Sequence, residues 1–245
     1  MEKIARTRTV RMMHTSDVHL GCNYSGALAR EALSAVVDKA LALQADVLLL
    51  AGDIFDHNRV AETEVEFLLG ELTRFGSPAV ILPGNHDCLL AGSVYHRTAF
   101  RERPANIHVI EEIPQQSVHL PELELEVWGR PVVDHWRENR PLIEMPPRQN
   151  GHWRVAMGHG HFEYPEDRDG RSSPIFADDI AQLACDYVAL GHWDRFVEVS
   201  QGDVRAYYSG APHWAGTHRA LSHVLLVTLD PKDGVSVERH PLLAE

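Results

Sequence analysis

The sequence predicts an α/β fold, a two-sheet sandwich flanked by helices and built as a single domain over residues 1–245. Three observations lead there. Between Val10 and Leu82, apolar runs alternate with amphipathic stretches in the order strand, helix, strand, helix, strand, the rhythm of a parallel sheet with crossover helices. Beyond Ile107 the pattern changes to closely spaced short strands, enough for a second sheet. No internal repeat, Gly/Ser linker or composition break divides the chain.

The elements follow in order. After a basic leader (Lys3, Arg6, Arg8, Arg11), Val10–His14 reads as a strand that ends in Thr15-Ser16-Asp17-Val18-His19. Ala29–Leu43 places Leu33, Val36, Val37, Ala40 and Leu41 at spacings of three and four, a helix with one apolar face. Asp46–Ala51 is a strand buried on both faces, closed by Gly52-Asp53-Ile54-Phe55-Asp56. A second helix, Ala61 to Phe75, carries Val65, Phe67, Leu68, Leu69 and Leu72 and is stopped by Gly76-Ser77-Pro78. The strand Ala79–Leu82 then runs into Pro83-Gly84-Asn85-His86-Asp87. The second half offers strands at Ile107–Ile110, Ser117–Leu120, Leu123–Trp128, Trp153–Met157, Tyr187–Leu190, Arg195–Val199, Arg205–Tyr208, His223–Leu229 and Val235–His240. Two of them lead into Gly158-His159 and Gly191-His192, while 134–152 and 162–177, rich in Pro, Arg, Asp and Glu, read as loops.

Composition narrows the function classes. Hydrophobic residues at 44% and charged ones at 24% exclude disorder and low complexity. The longest apolar run, Val47–Ala51, is far short of the ~20 residues that cross a bilayer. No signal peptide opens the chain, so a cytoplasmic protein without a membrane partner is expected. Cys22, Cys88 and Cys185 have neither an even count nor metal-type spacing and read as reduced thiols. With Lys+Arg 23 against Asp+Glu 35, the formal charge of −12 opposes loose binding to DNA or anionic membrane. The unusual count is 16 histidines, since His is the commonest metal ligand and a frequent acid or base.

The polar residues at the strand ends are Asp17 and His19, Asp53, Asn85 and His86, His159, and His192 with Asp194. In open α/β sheets ligands bind outside these carboxyl ends. Oxygen and nitrogen donors without thiolate suit Mn, Fe or Zn, and more donors than one ion can take point to two ions sharing a carboxylate. Two metals about 3.5 to 4 Å apart clamp the attacking and leaving oxygens of a displacement at phosphorus.

Asp17-Val18-His19, Gly52-Asp53-Ile54-Phe55-Asp56, Gly84-Asn85-His86-Asp87, Gly158-His159 and Gly191-His192-Trp193-Asp194 resemble, in order and spacing, the motifs of calcineurin-like metallophosphoesterases. Within that superfamily, His14 to Gly21 and Tyr208-Ser209-Gly210-Ala211-Pro212 are similar to SbcD-type DNA-repair exonucleases. The resemblance implies the metallophosphoesterase sandwich and hydrolysis of phosphate esters by a metal-bound hydroxide. It implies two divalent metal ions, Mn first and Fe or Zn as alternatives. Carried over by position, Asp17, His19, Asp53 and Asp194 hold one metal, and Asp53, Asn85, His159 and His192 hold the other. Asp53 is the bridge, for which a carboxylate with two oxygens is suited and a neutral imidazole is not. His86 is placed to protonate the leaving oxygen or stabilise charge, with Asp56 orienting its ring. The last motif usually ends in a second histidine where this chain has Asp194, which either coordinates through oxygen or turns outward.

Other polar residues have plainer readings. His161 stands behind the ligands or on the substrate side, Asp87 is a structural acceptor, and His57 and His96 are solvated loop histidines. The remaining histidines, His213 and His218 among them, read as structural or surface residues. Arg59 and Arg130 are weak candidates for phosphate contact. Three substrate readings stay open. One is a phosphodiesterase or nuclease, with DNA as a candidate substrate and a separate ATPase subunit as its partner. Against it stand the charge and the short run past Pro212, room for two closing strands and for no capping or ATPase-binding domain. The second is a small-molecule phosphoesterase with its substrate chosen by loops such as Phe162–Ala177, where Arg168 and Arg171 lie among acids. The third, a non-catalytic scaffold, ranks last because its ligand positions are nearly intact.

Overall fold

The computed structural model describes residues 6–23, 26–136, 138–167, 170–213 and 222–242; Lys3, Arg168 and His218 lie outside them. In chain order the elements are β1 (Val10–Thr15), α1 (Gly26–Ala42), β2 (Val47–Ala51), α2 (Glu62–Phe75), β3 (Ala79–Leu82), α3 (Thr98–Arg101), β4 (Ile107–Val109), β5 (Gln116–Leu120), β6 (Leu125–Gly129), β7 (Trp153–His159), β8 (His161–Phe162), β9 (Pro174–Ile175), α4 (Ala177–Ala181), β10 (Tyr187–Gly191), β11 (Val197–Glu198), β12 (Arg205–Tyr208), β13 (His223–Asp230) and β14 (Gly234–Pro241).

They form the expected sandwich. The first sheet has the order β14-β13-β1-β2-β3-β4 and the second β11-β12-β10-β7-β6-β5. The central strands β1 to β4 are parallel, as are β12, β10, β7 and β6, and the antiparallel strands sit toward the edges. Parallel strands need crossovers, and α1 and α2 supply them across one face of the first sheet.

Strand alternation divides the core. On β2, Leu48 and Leu50 turn toward Leu33, Val36, Val37, Leu68 and Leu72 of the two helices. Val47, Leu49 and Ala51 turn the other way and meet Val155, Met157, Tyr187 and Ala189 of the second sheet. A strand with both faces covered has no place for a polar side chain, which is why this segment is apolar throughout. Truncating such a side chain to alanine costs about 2–5 kcal/mol. The outer face of the second sheet is covered by loops and α4, with Trp128, Ile180, Leu190 and Tyr208 buried there. The helical flank is therefore heavier on the first sheet.

The differences from the sequence expectation are local. β6 begins at Leu125 because Pro121–Leu123 makes a single 3-10 turn and Glu124 takes a left-handed φ of 48°. β7 runs on to His159 because β10 pairs with it as far as Gly191↔His159. β8, which begins one residue before the expected loop 162–177, pairs over two residues with β9 inside it, and α4 starts at its last residue. Such short pieces show no periodicity for sequence reasoning to detect.

His14 shows what this burial does to a titratable group. It is fully buried, its Nδ1 lies 2.9 Å from the Tyr187 hydroxyl, and burial lowers it from the ordinary 6.5 to about 3. Between those values the unfolded chain binds the proton and the folded chain does not, so folding stability drops as pH falls through 6.5 toward 3. Denaturant melts across pH 7 to 4 are expected to show part of the acid destabilisation, up to a few kcal/mol, missing in His14→Gln. Parallel stability curves for the two proteins contradict this assignment.

Candidate metal centre

The carboxyl ends of β1, β2, β3, β7 and β10 meet where the two sheets face one another. The turns after β1 and β2 are zipped together by main-chain bonds. Asp17 N–H donates to Gly52 O at 2.9 Å, His19 N–H to Asp53 O at 3.0 Å, and Leu20 N–H to Ile54 O at 2.8 Å. This register forces unusual backbone: Asp17, His19 and Asp53 have φ of 56°, 53° and 54°, and His192 has 106°. Left-handed non-glycine residues cost of order 1–3 kcal/mol each and persist where the surroundings over-determine them. Their concentration at one place makes it the candidate site.

Glycine makes the approach possible. A Cβ at Gly84 would run into the Asp53 main-chain N and Oδ1, and one at Gly191 would run into the Ala51 carbonyl. The glycines of Gly84-Asn85-His86 and Gly191-His192 thus answer to space rather than to φ.

Backbone amides of one motif hold the carboxylates of another. His192 N–H donates to Asp17 across the sandwich at 3.0 Å, and His86 N–H donates to Asp53 Oδ1 at 2.8 Å. His159 Nδ1–H donates to the Ala51 carbonyl at 2.9 Å, which turns Nε2 toward Asp53 Oδ2 at 3.2 Å and Asn85 Oδ1 at 2.9 Å. His192 Nδ1 also lies 2.9 Å from Asn85 Oδ1. Donor atoms of Asp17, His19 and Asp53 lie within 4.8 Å of one another, as do those of Asp53, His159 and His192. Asp53 belongs to both groups.

Asp17, Asp53 and His159 are buried, which makes the electrostatics severe. Burial, reinforced by the charge of Asp53, raises the Asp17 carboxyl to about 6 although His159 pulls it down. Burial also pushes Asp53 up, but the facing His159 ring, by its charge and its hydrogen bond, outweighs this and holds Asp53 below the usual carboxylate range. For His159 the same pairing reverses the effect of burial and raises the ring to about 10. Burial, then the charge on His159, lowers His192 to about 4. Two buried carboxylates thus face one imidazolium, and among the described residues no Lys or Arg pairs with either. A cluster of buried oxygen and nitrogen donors with surplus negative charge fits divalent cations. The proton on His159 Nε2 occupies the place of that missing positive charge.

The structure brings Asp17, His19, Asp53, Asn85, His159 and His192 together. The His86 ring lies edge-on to that of His19, with centroids 4.7 Å apart. Its Nδ1 is 2.8 Å from the main-chain oxygen of Asp56 and 4.0 Å from the Asp56 carboxylate, which sits 3.3 Å from His19 Nδ1 instead. Asp56 therefore orients His86 through its carbonyl. Asp194 is exposed and, among the described residues, belongs to neither donor group; its carbonyl accepts the Ala211 N–H at 3.1 Å. Asp87 accepts from the amides of Gly84, Ile54 and Phe55 and from the Tyr95 hydroxyl, fastening the third motif to the second. Nothing in the sequence singled out Tyr95, whose role depends on burial alone. His161 Nδ1 accepts the Trp193 indole N–H at 3.1 Å, so its proton sits on Nε2, toward Asp167 at 3.8 Å. Donor atoms of His161, Glu163 and Asp167 lie within 4.8 Å of one another as well, a group beside the centre that shares no residue with the two that meet at Asp53. Arg130 is engaged by Glu144.

Comparisons with known proteins bear on the family and the fold. The family model described as calcineurin-like phosphoesterase matches residues 10–195. The chain belongs to that family. The metallophosphoesterase YhaO of Bacillus subtilis, described as uncharacterized, is 26% identical over 224 residues, covering 81% of this chain and 52% of YhaO. The SbcD component of the SbcCD nuclease of Escherichia coli is 36% identical over 86 residues, 32% of this chain and 21% of that protein. The chain thus spans about half or less of the curated relatives it matches. Among solved structures, a dimetal phosphatase from Danio rerio superposes with a TM-score of 0.60 over 96% of each chain at 9% identity. A Thermus thermophilus protein gives 0.57 over 96% of this chain and all of its own, at 13% identity. At those identities the likeness is one of fold, and it is the calcineurin-like sandwich. No helix among the described residues is long and apolar enough to cross a membrane.

A cation that uses His159 Nε2 must displace the proton held there, and with the ring at about 10 that proton is present at neutral pH. Manganese uptake near pH 7.5 is expected to release about one proton, and affinity to rise about tenfold per pH unit between pH 7 and 9. Asp17, at about 6, is already ionised there and adds to the release only in mildly acidic solution. Calorimetry in buffers of different ionisation enthalpy measures this; uptake without proton release contradicts a His159 that is both protonated in the metal-free protein and a ligand in the loaded one.

Proposed function

We propose that the chain is a dinuclear metal-dependent phosphoesterase acting on phosphodiesters, in the manner of an SbcD-like nuclease core. The observation that carries this is Asp53, one buried carboxylate shared by two converging donor groups. In this reading Asp17, His19, Asp53 and Asp194 hold one cation, Asp53, Asn85, His159 and His192 hold the other, and manganese occupies both. Bound cations lower the pKa of water toward neutrality and draw charge from the phosphoryl oxygens. The protein residues do the rest. Asn85 Oδ1, poised between His159 and His192, fixes the spacing of the second group. The main-chain oxygen of Asp56 holds the proton on His86 Nδ1, so that the imidazolium form has Nε2–H to give to a leaving oxygen. The His86 main-chain N–H grips Asp53, which ties acid and bridge into one rigid unit.

The diester reading is supported by the names of two relatives, the SbcCD nuclease component and the DNA double-strand break repair protein Mre11 from Methanopyrus kandleri, the latter 34% identical over 87 residues. On that reading DNA is the substrate and a separate ATPase subunit the partner. Free thiols at Cys22, Cys88 and Cys185 suit a reducing compartment such as the cytoplasm. The net charge of −12 favours a second reading, a small phosphoester in place of a polyanion.

The test is manganese-dependent cleavage of end-labelled oligonucleotides and of bis(p-nitrophenyl) phosphate by wild type and His86→Ala. Expected are cleavage of both substrates by wild type, and in the variant a loss of about 10²–10⁴-fold with unchanged metal content. Cleavage of the small ester alone moves the assignment to the second reading. Inactivity of metal-loaded wild type on both defeats the proposal, and equal loss of metal and rate in His86→Ala would make His86 a ligand.

A further inference from the structure

We propose that His213 is a metal ligand of the Asp17–His19 half of the centre, coordinating through Nδ1. The inference rests on the two-metal reading above and changes it at one position, putting in the place of Asp194 a residue that none of the strand-end motifs contains. Past β12 the chain doubles back over the site. Ser209 Oγ lies 2.8 Å from Ser16 Oγ, Ala211 N–H donates to the Asp194 carbonyl at 3.1 Å, and His213 Nε2 lies 2.8 Å from the carbonyl of Val18. Val18 is the residue between Asp17 and His19, so the imidazole is fastened to the loop that carries two of the donors.

That bond decides the tautomer. A carbonyl can only accept, so Nε2 carries the proton, and in the neutral ring Nδ1 is a bare lone pair. Nδ1 is buried and has no hydrogen-bond partner among the described residues. Buried acceptors are almost always met by a donor, a water or a cation. Val18, whose carbonyl holds the ring, is flanked by Asp17 and His19, both donors of the first half of the centre. One ring nitrogen donating to a main-chain carbonyl, with the other left bare, is the arrangement that fixes metal-binding histidines. His159 follows it on the other side of the site, with Nδ1–H on the Ala51 carbonyl.

The donor balance points the same way. The second half has Asn85, His159 and His192 beside the shared Asp53, whereas the first has Asp17 and His19. A neutral imidazole completes the first half without adding negative charge to two carboxylates already buried there. Asp194, exposed at the rim, would add that charge. His213 is then a ligand and not the structural or surface histidine that its place in the sequence suggests.

Manganese alone is the probe, titrated into the full chain and followed by calorimetry and by pulsed electron paramagnetic resonance. Wild type is expected to bind two equivalents, with nitrogen couplings from one histidine more than His19, His159 and His192 account for. His213→Ala is expected to weaken one equivalent at least tenfold and leave the other unchanged. His213→Gln keeps an N–H for the Val18 carbonyl while losing the imidazole, and the same loss there separates coordination from support of the loop. Two equivalents of unchanged affinity in either variant, or couplings in wild type from only the three other histidines, overturn the assignment while leaving the two-metal reading intact. Failure of wild type to bind a second equivalent removes both.

Discussion

Two carboxylates buried side by side, Asp17 and Asp53, are the constraint on which the rest of the structure depends. At the seam between the sheets they cannot both be ionised without compensating positive charge, and in the protein alone the proton on His159 provides it. Each is also gripped by a main-chain amide from a distant motif, His192 for Asp17 and His86 for Asp53. The site therefore exists only when β1, β2, β3 and β10 are all in register. Assembly of the donor cluster needs both sheets in place.

This explains why strain collects here. Left-handed φ at Asp17, His19, Asp53 and His192 is unfavourable locally. It is held by the zipped turns after β1 and β2, by Asp87 bonded to three amides and by Tyr95 behind it. The two-sided core of β2, where Leu48 and Leu50 pack on helices and Leu49 on the second sheet, supplies the stability that offsets the strain. A cation bound to the folded donor set would add to that stability by mass action, in so far as it prefers that set to the unfolded chain.

How far the sequence could be read follows from where each piece of information resides. Strands buried on both faces advertise themselves, so β2, β3 and β10 were legible nearly to the residue. Their polar ends were legible too, because Asp, His and Asn in succession after an apolar run have little other reason to be there. α3, α4 and the β8–β9 pair were not, being too short to show a period. Tyr95 and the carbonyl of Asp56 act through position alone. His213 lies beyond the last motif and is brought back by a turn whose contacts, Ser16 with Ser209 and Val18 with His213, connect residues nearly two hundred apart. Spacing cannot encode such a meeting.

The overall charge gives the centre a second role. At −12 the protein repels a phosphate ester at long range, though salt screens that field within about 8–10 Å. Recognition of the phosphoryl group therefore has to occur at contact distance, where Asp17 and Asp53 are also repulsive. In the two-metal reading, two divalent cations reverse that sign locally and leave a positive spot in an acidic surface. Metal occupancy then governs whether an anionic substrate binds at all, as well as whether it reacts. A neutral imidazole from His213, in place of a third carboxylate, keeps that reversal larger by one unit of charge. The ligand set and the substrate's charge are thus linked: every carboxylate added to hold the metals more tightly weakens the attraction they exert on phosphate.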